Sequence, residues 1–376
     1  MGRVLTVMSG VFHMQVFRHQ HLRGVFQGLA AAALFGLSTP LAKILVGQIS
    51  PLLLAGMLYA GSGIGLSIWM LIRRVGGRSS AETALARRDL PWLAGAVAFG
   101  GVFAPILLMV GLSSMDGATS SLLLNLEAVL TALIAWVVFR ENFDRRIALG
   151  MLAIVAGGAL LAWQPHAGTM ISVGAAAIAG ACLCWGIDNN LTRAVSGGDP
   201  VQIAAIKGVV AGVINIAAAL LAGHRFPGVL ATLATGIVGF VGYGLSLVLF
   251  VLALRSLGTA RTGAYFSTAP FLGAGVSLVL FAEQPSLLFW CAGVLMAVGV
   301  WLHLTERHEH MHVHETMTHD HRHVHDEHHQ HEHDFPWDGK EPHAHPHRHA
   351  PLVHSHAHYP DLHHRHGNDH GPGNGS

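Results

Sequence analysis

Three charged side chains stand inside long apolar runs of this 376-residue chain, and one terminal segment is crowded with imidazole. Glu127 lies near the middle of Gly117–Phe139, GATSSLLLNLEAVLTALIAWVVF. Asp188 opens the triplet Asp188-Asn189-Asn190 in a second apolar run, and Lys207 lies in a third. A charge at the centre of a membrane helix costs roughly 2.5–3.5 kcal/mol on insertion scales, so it faces a bundle interior or a wet cavity. There a carboxylate can carry a proton or hold a cation, and an ammonium can attract an anion or neutralise an acid. Helical spacing puts Ser120, Glu127 and Thr131 on one face, with Ser121 and Asn125 on another.

Each of these residues also has a plainer reading. Glu127 can be a packing partner of Lys207 or Lys43. Asp188 can be an interfacial group near Arg193. Lys207, about 10 Å into its run at about 1.5 Å per residue, can snorkel to the surface. Pro40 removes a backbone donor and frees a carbonyl of the preceding turn as a ligand, if it lines a cavity. Cys182-x-Cys184 is not a metal pair, because residues two apart on a helix face different ways. With Cys291 these cysteines read as small packing residues.

The imidazoles are concentrated in residues 305–376, which hold 23 of the 29 histidines. They run His308, His310, His312, His314, then His319, His321, His323, His325, and later His343, His345, His347, His349. Shorter groups at His328–His333 and His354–His358 follow the same habit. With few aliphatic residues the segment cannot bury a core, which predicts a disordered tail. Neutral imidazole suits zinc, nickel, cobalt or copper. The tail can therefore load a metal pathway, store metal, or buffer protons near neutral pH. The apolar part requires no cofactor.

The elements that position the three charges are apolar runs about 19–20 residues long, the length that crosses roughly 30 Å of hydrocarbon. Ten are expected, at about 24–46, 52–72, 91–112, 117–139, 146–163, 170–192, 201–221, 228–254, 259–281 and 286–304. The first 23 residues read as a short lead-in, since Arg18, His19, His21 and Arg23 interrupt any signal-like apolar stretch. Basic residues collect in alternate breaks. Arg73, Arg74, Arg78, Arg87, Arg88, Arg140, Arg145, Arg146, Arg193, Arg255, Arg261 and Arg307 fall on the side of the N-terminus, and only Arg225 and Lys43 lie towards the other. That bias places both termini in the cytoplasm.

The sequence also repeats at an offset of about 142–150 residues. Phe35-Gly36-Leu37 aligns with Trp185-Gly186-Ile187, Ser50-Pro51 with Asp199-Pro200, and Phe139-Arg140-Glu141 with Phe281-Ala282-Glu283. Two halves of five spans each must enter the membrane from opposite sides, a construction used by secondary transporters with a site at the repeat interface.

Taken together, these motifs and Thr268-Ala269-Pro270 resemble the EamA-like branch of the drug/metabolite transporter superfamily over residues 24–304. Asn125-Leu126-Glu127-Ala128 departs from the family's proline-containing stretch in the first half. The resemblance implies an all-α membrane protein of ten helices in two inverted repeats, 24–163 and 170–304, that exports small metabolites or toxic compounds. The expectation is thus a multi-pass cytoplasmic-membrane exporter, not an enzyme and not a nucleic-acid binder. Its solute would pass Glu127, Thr131, Ser120, Asp188, Asn189, Lys207 and Pro40. A divalent-metal exporter and a membrane-anchored metal store or sensor are the alternatives. Pairing into a homodimer is compatible with the sequence and not specified by it.

Overall fold

The computed structural model describes residues 2–76, 85, 87–139, 145–163, 172–196, 198–305 and four tail segments, 308–314, 318–323, 343–348 and 352–358. Arg78, Arg140, Arg307, His325 and His349 lie outside the described residues. Up to Thr305 the described residues are helical and contain no strand. An apolar run in lipid has no water for its backbone groups, so bonding within the run is the available solution.

In chain order the helices are α1 (Gly2–Val46), α2 (Pro51–Val75), α3 (Leu90–Ala96), α4 (Ala104–Ser114), α5 (Gly117–Leu123), α6 (Leu126–Phe139), α7 (Arg145–Ala162), α8 (Val173–Val195), α9 (Pro200–Leu221), α10 (Val229–Val238), α11 (Ser246–Phe266), α12 (Ala269–Leu280) and α13 (Leu287–Leu304). Several starts are written locally. The side chains of Asp116, Ser172, Asp199 and Ser286 accept N–H bonds from Thr119, Ala175, Val201 and Phe289, which satisfies donors that a helix start leaves unpaired. Pro51 and Pro200 occupy the first helical position, where the missing N–H costs nothing.

Among the described residues, eight stretches are long and apolar enough to cross a membrane: Leu22–Val46, Pro51–Val75, Arg87–Ser114, Gly117–Val138, Arg145–Ala162, Pro200–Leu221, Val229–Leu254 and Thr262–Leu280. Leu287–His303 is apolar but shorter. The 23-residue α8 is made less apolar by its Asp188-Asn189-Asn190 stretch. Near the break expected at 255–258 the chain doubles back within α11: Phe250 and Phe266 have ring centroids 5.0 Å apart, where sixteen residues of one straight helix would span about 24 Å at 1.5 Å per residue.

Two long stretches bulge and two break. Between α3 and α4 the residues Val97–Phe103 are π-helical, and so are Gly239–Leu245 between α10 and α11, starting 142 residues later. Turns at Leu124–Asn125 and Ser267–Thr268 divide α5 from α6 and α11 from α12. The second break precedes Pro270. The first has no proline, and there the Asn125 amide donates to the Leu122 carbonyl at 3.0 Å, a local bond that competes with the helix.

Contacts between the halves rest on small residues. A Cβ on Gly63 would lie 2.2 Å from the Val209 backbone nitrogen, and one on Gly208 would lie 2.4 Å from that of Gly63. Gly56 and Gly212 face Ile216 and Ala60 along the same contact of α2 with α9. Helix association in lipid lacks a water-driven term and depends on this close approach. The other large contacts come in matched sets: α7 with α13, α1 with α11 as α4 with α8, and α1 with α12 as α6 with α8.

The bundle has two distinct ends. At one, Arg146 reaches the Thr305 carbonyl, His303 meets the Ile147 carbonyl, and the Leu85 N–H donates to Gln202. At the other, Lys43 meets the end of α4 and Glu283 meets the start of α5. In the tail, two pairs of extended segments are described. His308–His314 pairs antiparallel with Leu352–His358, and Thr318–His323 with His343–Arg348. Composition argued against a core, but the alternation of histidine has the period of two that suits an extended strand.

Candidate functional site

The cavity lies among α1, α2, α6, α8, α9, the second π segment and α11. Its empty space, open mouth included, is about 580 Å³. Glu127, Asp188, Asn189 and Lys207 all line it. The structure therefore brings together four of the polar residues singled out in the sequence.

The Lys207 ammonium donates to both Asp188 oxygens, at 2.6 and 2.8 Å, and approaches Thr192 Oγ1 at 3.3 Å. Thr192 in turn donates to Asp188 Oδ1 at 2.9 Å. Lys207 is 2% exposed, so it does not snorkel to a surface. Its stem crosses a bundle interior and ends on a carboxylate from the neighbouring helix. Asp188 sits where Gly100 leaves room, since a Cβ on Gly100 would lie 1.8 Å from Asp188 Oδ2.

Glu127 is organised differently. Its Oε1 accepts a bond from Asn189 Nδ2 at 2.8 Å, and the same amide reaches Thr131 Oγ1 at 3.3 Å. Asn190 next door donates to the Thr131 carbonyl at 3.1 Å and to Gly186 at 2.8 Å. These bonds stitch α6 to α8. Among the described residues no lysine, arginine or histidine forms an ion pair with Glu127. Both suggested packing partners are engaged elsewhere, Lys207 on Asp188 and Lys43 on backbone carbonyls.

Ser120, Thr131 and Pro40 do not line the cavity. Thr131 supports it through Asn189. Ser120 is fully buried in α5, on the other side of the break at Leu124–Asn125, so the seven-residue step from Ser120 to Glu127 does not run along one continuous helix. Pro40 is buried in α1. One turn earlier, Gly36 lets α1 approach the Ala269 carbonyl, which would lie 2.4 Å from an added Cβ.

Sequence reasoning missed the aromatic wall. Phe35 touches Trp185, Tyr243 and Phe266 with ring centroids 5.6, 5.8 and 5.4 Å apart, and Tyr59 lies against Tyr243 at 5.5 Å with the rings inclined by 58°. The polar atoms of Tyr59 and Trp185 both donate to the Gly100 carbonyl, at 2.5 and 3.2 Å. The Asn215 amide donates to Gly101 at 3.0 Å. A π turn leaves carbonyls without ideal helical partners, and three side chains take them up here. The clustered glycines in VAFGGVF and GFVGYGL were the available signal.

Comparison with known proteins agrees with this architecture. Residues 22–163 and again 172–305 match the EamA-like transporter family. The chain belongs to that family. EamA-like membership makes it a multi-pass membrane transporter, consistent with its apolar helices. A protein of Methanothermobacter thermautotrophicus described as an uncharacterized transporter is 25% identical over 297 residues, covering 75% of this chain and 86% of that protein. A solved crystal structure shares the fold with a TM-score of 0.58 at 20% identity, over 74% of this chain and 94% of the other.

Proposed function

We propose that this EamA-like transporter exports a small metabolite or drug-like solute across the cytoplasmic membrane by alternating access, with both termini cytoplasmic. Ten spanning helices form two inverted five-helix repeats in this reading, with Leu287–His303 and α8 completing the eight stretches described above. The matched helix contacts, the paired π segments and the two family matches support that symmetry. The arginine-rich breaks support the orientation.

The observation that carries the reading is the cavity itself. It joins a buried, internally compensated pair, Asp188–Lys207, to a carboxylate, Glu127, held by an amide alone. Asp188 cannot readily exchange Lys207 for another partner, because breaking a buried pair costs about 3–5 kcal/mol. Glu127 is the group free to change partner, as coupling proton carrier or as counter-ion to a solute cation. The aromatic wall supplies the apolar contact that small-molecule sites use around a few polar groups.

The test is solute flux in reconstituted vesicles across a panel of amino acids, organic cations and neutral drugs. Glu127→Gln keeps size and an acceptor for Asn189 but removes the charge. Transport of the active solute is expected to fall at least about ten-fold, the effect of roughly 1.4 kcal/mol. Unchanged flux would remove Glu127 from the mechanism.

For the tail we propose divalent-metal binding that is dispensable for movement of the solute. Its support is the register: histidine faces histidine at His308–His358, His310–His356 and His312–His354, and again at His319–His347, His321–His345 and His323–His343. Zinc, nickel, cobalt and copper are the ions imidazole suits. The transmembrane part offers no group of three or more His, Cys, Asp or Glu suited to a metal among the described residues, which favours an organic solute over a metal cargo.

A further inference from the structure

The two ends of the bundle are built differently. Cavity-lining residues reach the arginine-rich end: Ala204 stands four residues after Pro200, and Leu247 and Phe250 lie in α11 beside it. Towards the opposite end the same bundle is packed shut by Leu45, Ile49, Leu53, Leu54, Leu108 and Leu112, each at most 8% exposed.

Over that plug, two charged side chains tie helix ends together. Glu283 accepts the Gly117 N–H at 2.8 Å on Oε1 and the Ala118 N–H at 3.0 Å on Oε2, reaching from the second half of the chain to the first. Lys43 donates to the carbonyls of Leu112 and Met115, at 2.6 and 2.5 Å. Each charge opposes the partial charge of the backbone it meets, carboxylate on free N–H groups and ammonium on free carbonyls. Ala282, immediately before Glu283, is the one non-glycine at positive φ among the described residues, at 49°. Such a conformation costs on the order of 1–3 kcal/mol and persists only where its surroundings hold it. Beneath the contact α5 and α12 run antiparallel and touch: a Cβ on Gly117 would lie 2.8 Å from Ser277 Oγ, and one on Gly273 would lie 2.9 Å from Ser121 Oγ.

We propose that Glu283 is a clamp that holds the far end of the bundle closed, and that its release from Gly117 and Ala118 is the step that opens this end to solute. Because Glu283 belongs to one half and α5 to the other, the clamp reports the relative position of the halves. The strained Ala282 stores part of the energy that its release returns. The proposal rests on the alternating-access reading above.

The test uses the full chain in nanodiscs, with Cys182, Cys184 and Cys291 replaced by alanine. One reporter cysteine at a time is titrated with a maleimide, at Ala55 in the plug (fully buried) or at Leu247 in the cavity wall. With Glu283 intact, position 247 reacts and position 55 is protected. Glu283→Gln is expected to raise the rate at position 55 about ten-fold, for the loss of charge-assisted bonding, and to lower the rate at position 247. Glu283→Asp, one methylene too short to span both N–H groups, should fall between. A rise at 55 without a fall at 247 means local fraying and overturns the proposal, as do unchanged rates in both variants. If Glu283→Gln leaves the rates alone while Glu127→Gln abolishes flux, the clamp is removed and the transport reading stands. The converse, shifted rates with no solute in the panel moved, keeps the clamp and removes that reading.

Discussion

The ammonium of Lys207 closes a two-pronged bridge onto Asp188, 2.6 and 2.8 Å from its oxygens, with 2% of the lysine exposed. The bridge joins α9 to α8, and both helices line the cavity. Its desolvation cost is offset only while both partners are present.

Lys207→Met should therefore destabilise the protein by about 3–5 kcal/mol, leaving Asp188 buried without its counter-charge. The double variant Lys207→Met with Asp188→Asn should recover most of that loss. Thermal unfolding in detergent, followed by gel filtration, measures both. Equal losses in the single and double variants would mean that the two side chains are not energetically coupled.

Gly100→Ala is a test of the bridge without touching its charges. The added methyl would lie 1.8 Å from Asp188 Oδ2, on a π segment whose carbonyl is held by Tyr59 and Trp185. Asp188 has to move, and binding of the transported solute should weaken about ten-fold, the effect of roughly 1.4 kcal/mol. Gly275→Ala, with nothing within 4 Å of the new methyl, is the control and should leave affinity unchanged.

Gly208→Ala opposes two effects of known size. Alanine gains about 1 kcal/mol of helix propensity over glycine. Its methyl would stand 2.4 Å from the Gly63 backbone nitrogen, and a backbone contact cannot be relieved by a rotamer change. Overpacking costs about 1–3 kcal/mol, and with backbone on both sides the upper part of that range applies. A lowered melting temperature is expected, and a raised one would show that α2 and α9 separate freely.

Removing residues 308–376 should abolish zinc binding, measured by calorimetry on the purified chain, and leave flux and melting temperature within error. A fall in flux with the tail removed would make the histidines part of the transport route.

The sequence carried the apolar spans and the charged residues inside them, because a buried charge in a lipid-length run is costly wherever it sits. Glu127, Asp188 and Lys207 stand out by that cost and Asn189 by its place beside Asp188, and all four line one cavity. Partner choice was not legible. Lys207 selects Asp188 over Glu127 through the packing of α9 on α8, which no spacing along the chain encodes. The stripe Ser120–Glu127–Thr131 failed for a local reason: the Asn125 side chain takes the Leu122 carbonyl and the helix breaks, so a helical wheel cannot be carried across. The missing proline at Ala128 suggested a difference between the halves, yet a break stands in both, made by different means.

The contact of α2 with α9 has one more consequence. Where Gly63 meets Gly208 the wall of the protein is bare backbone, with no side chain to lengthen, shorten or swing aside. The two backbones touch, so the cavity has no exit through this seam between α2 and α9 at this level. Mutation also has little to work with along it. New cargo has to be accommodated instead by the side chains around that seam, among them Tyr59 and the rings around Phe35.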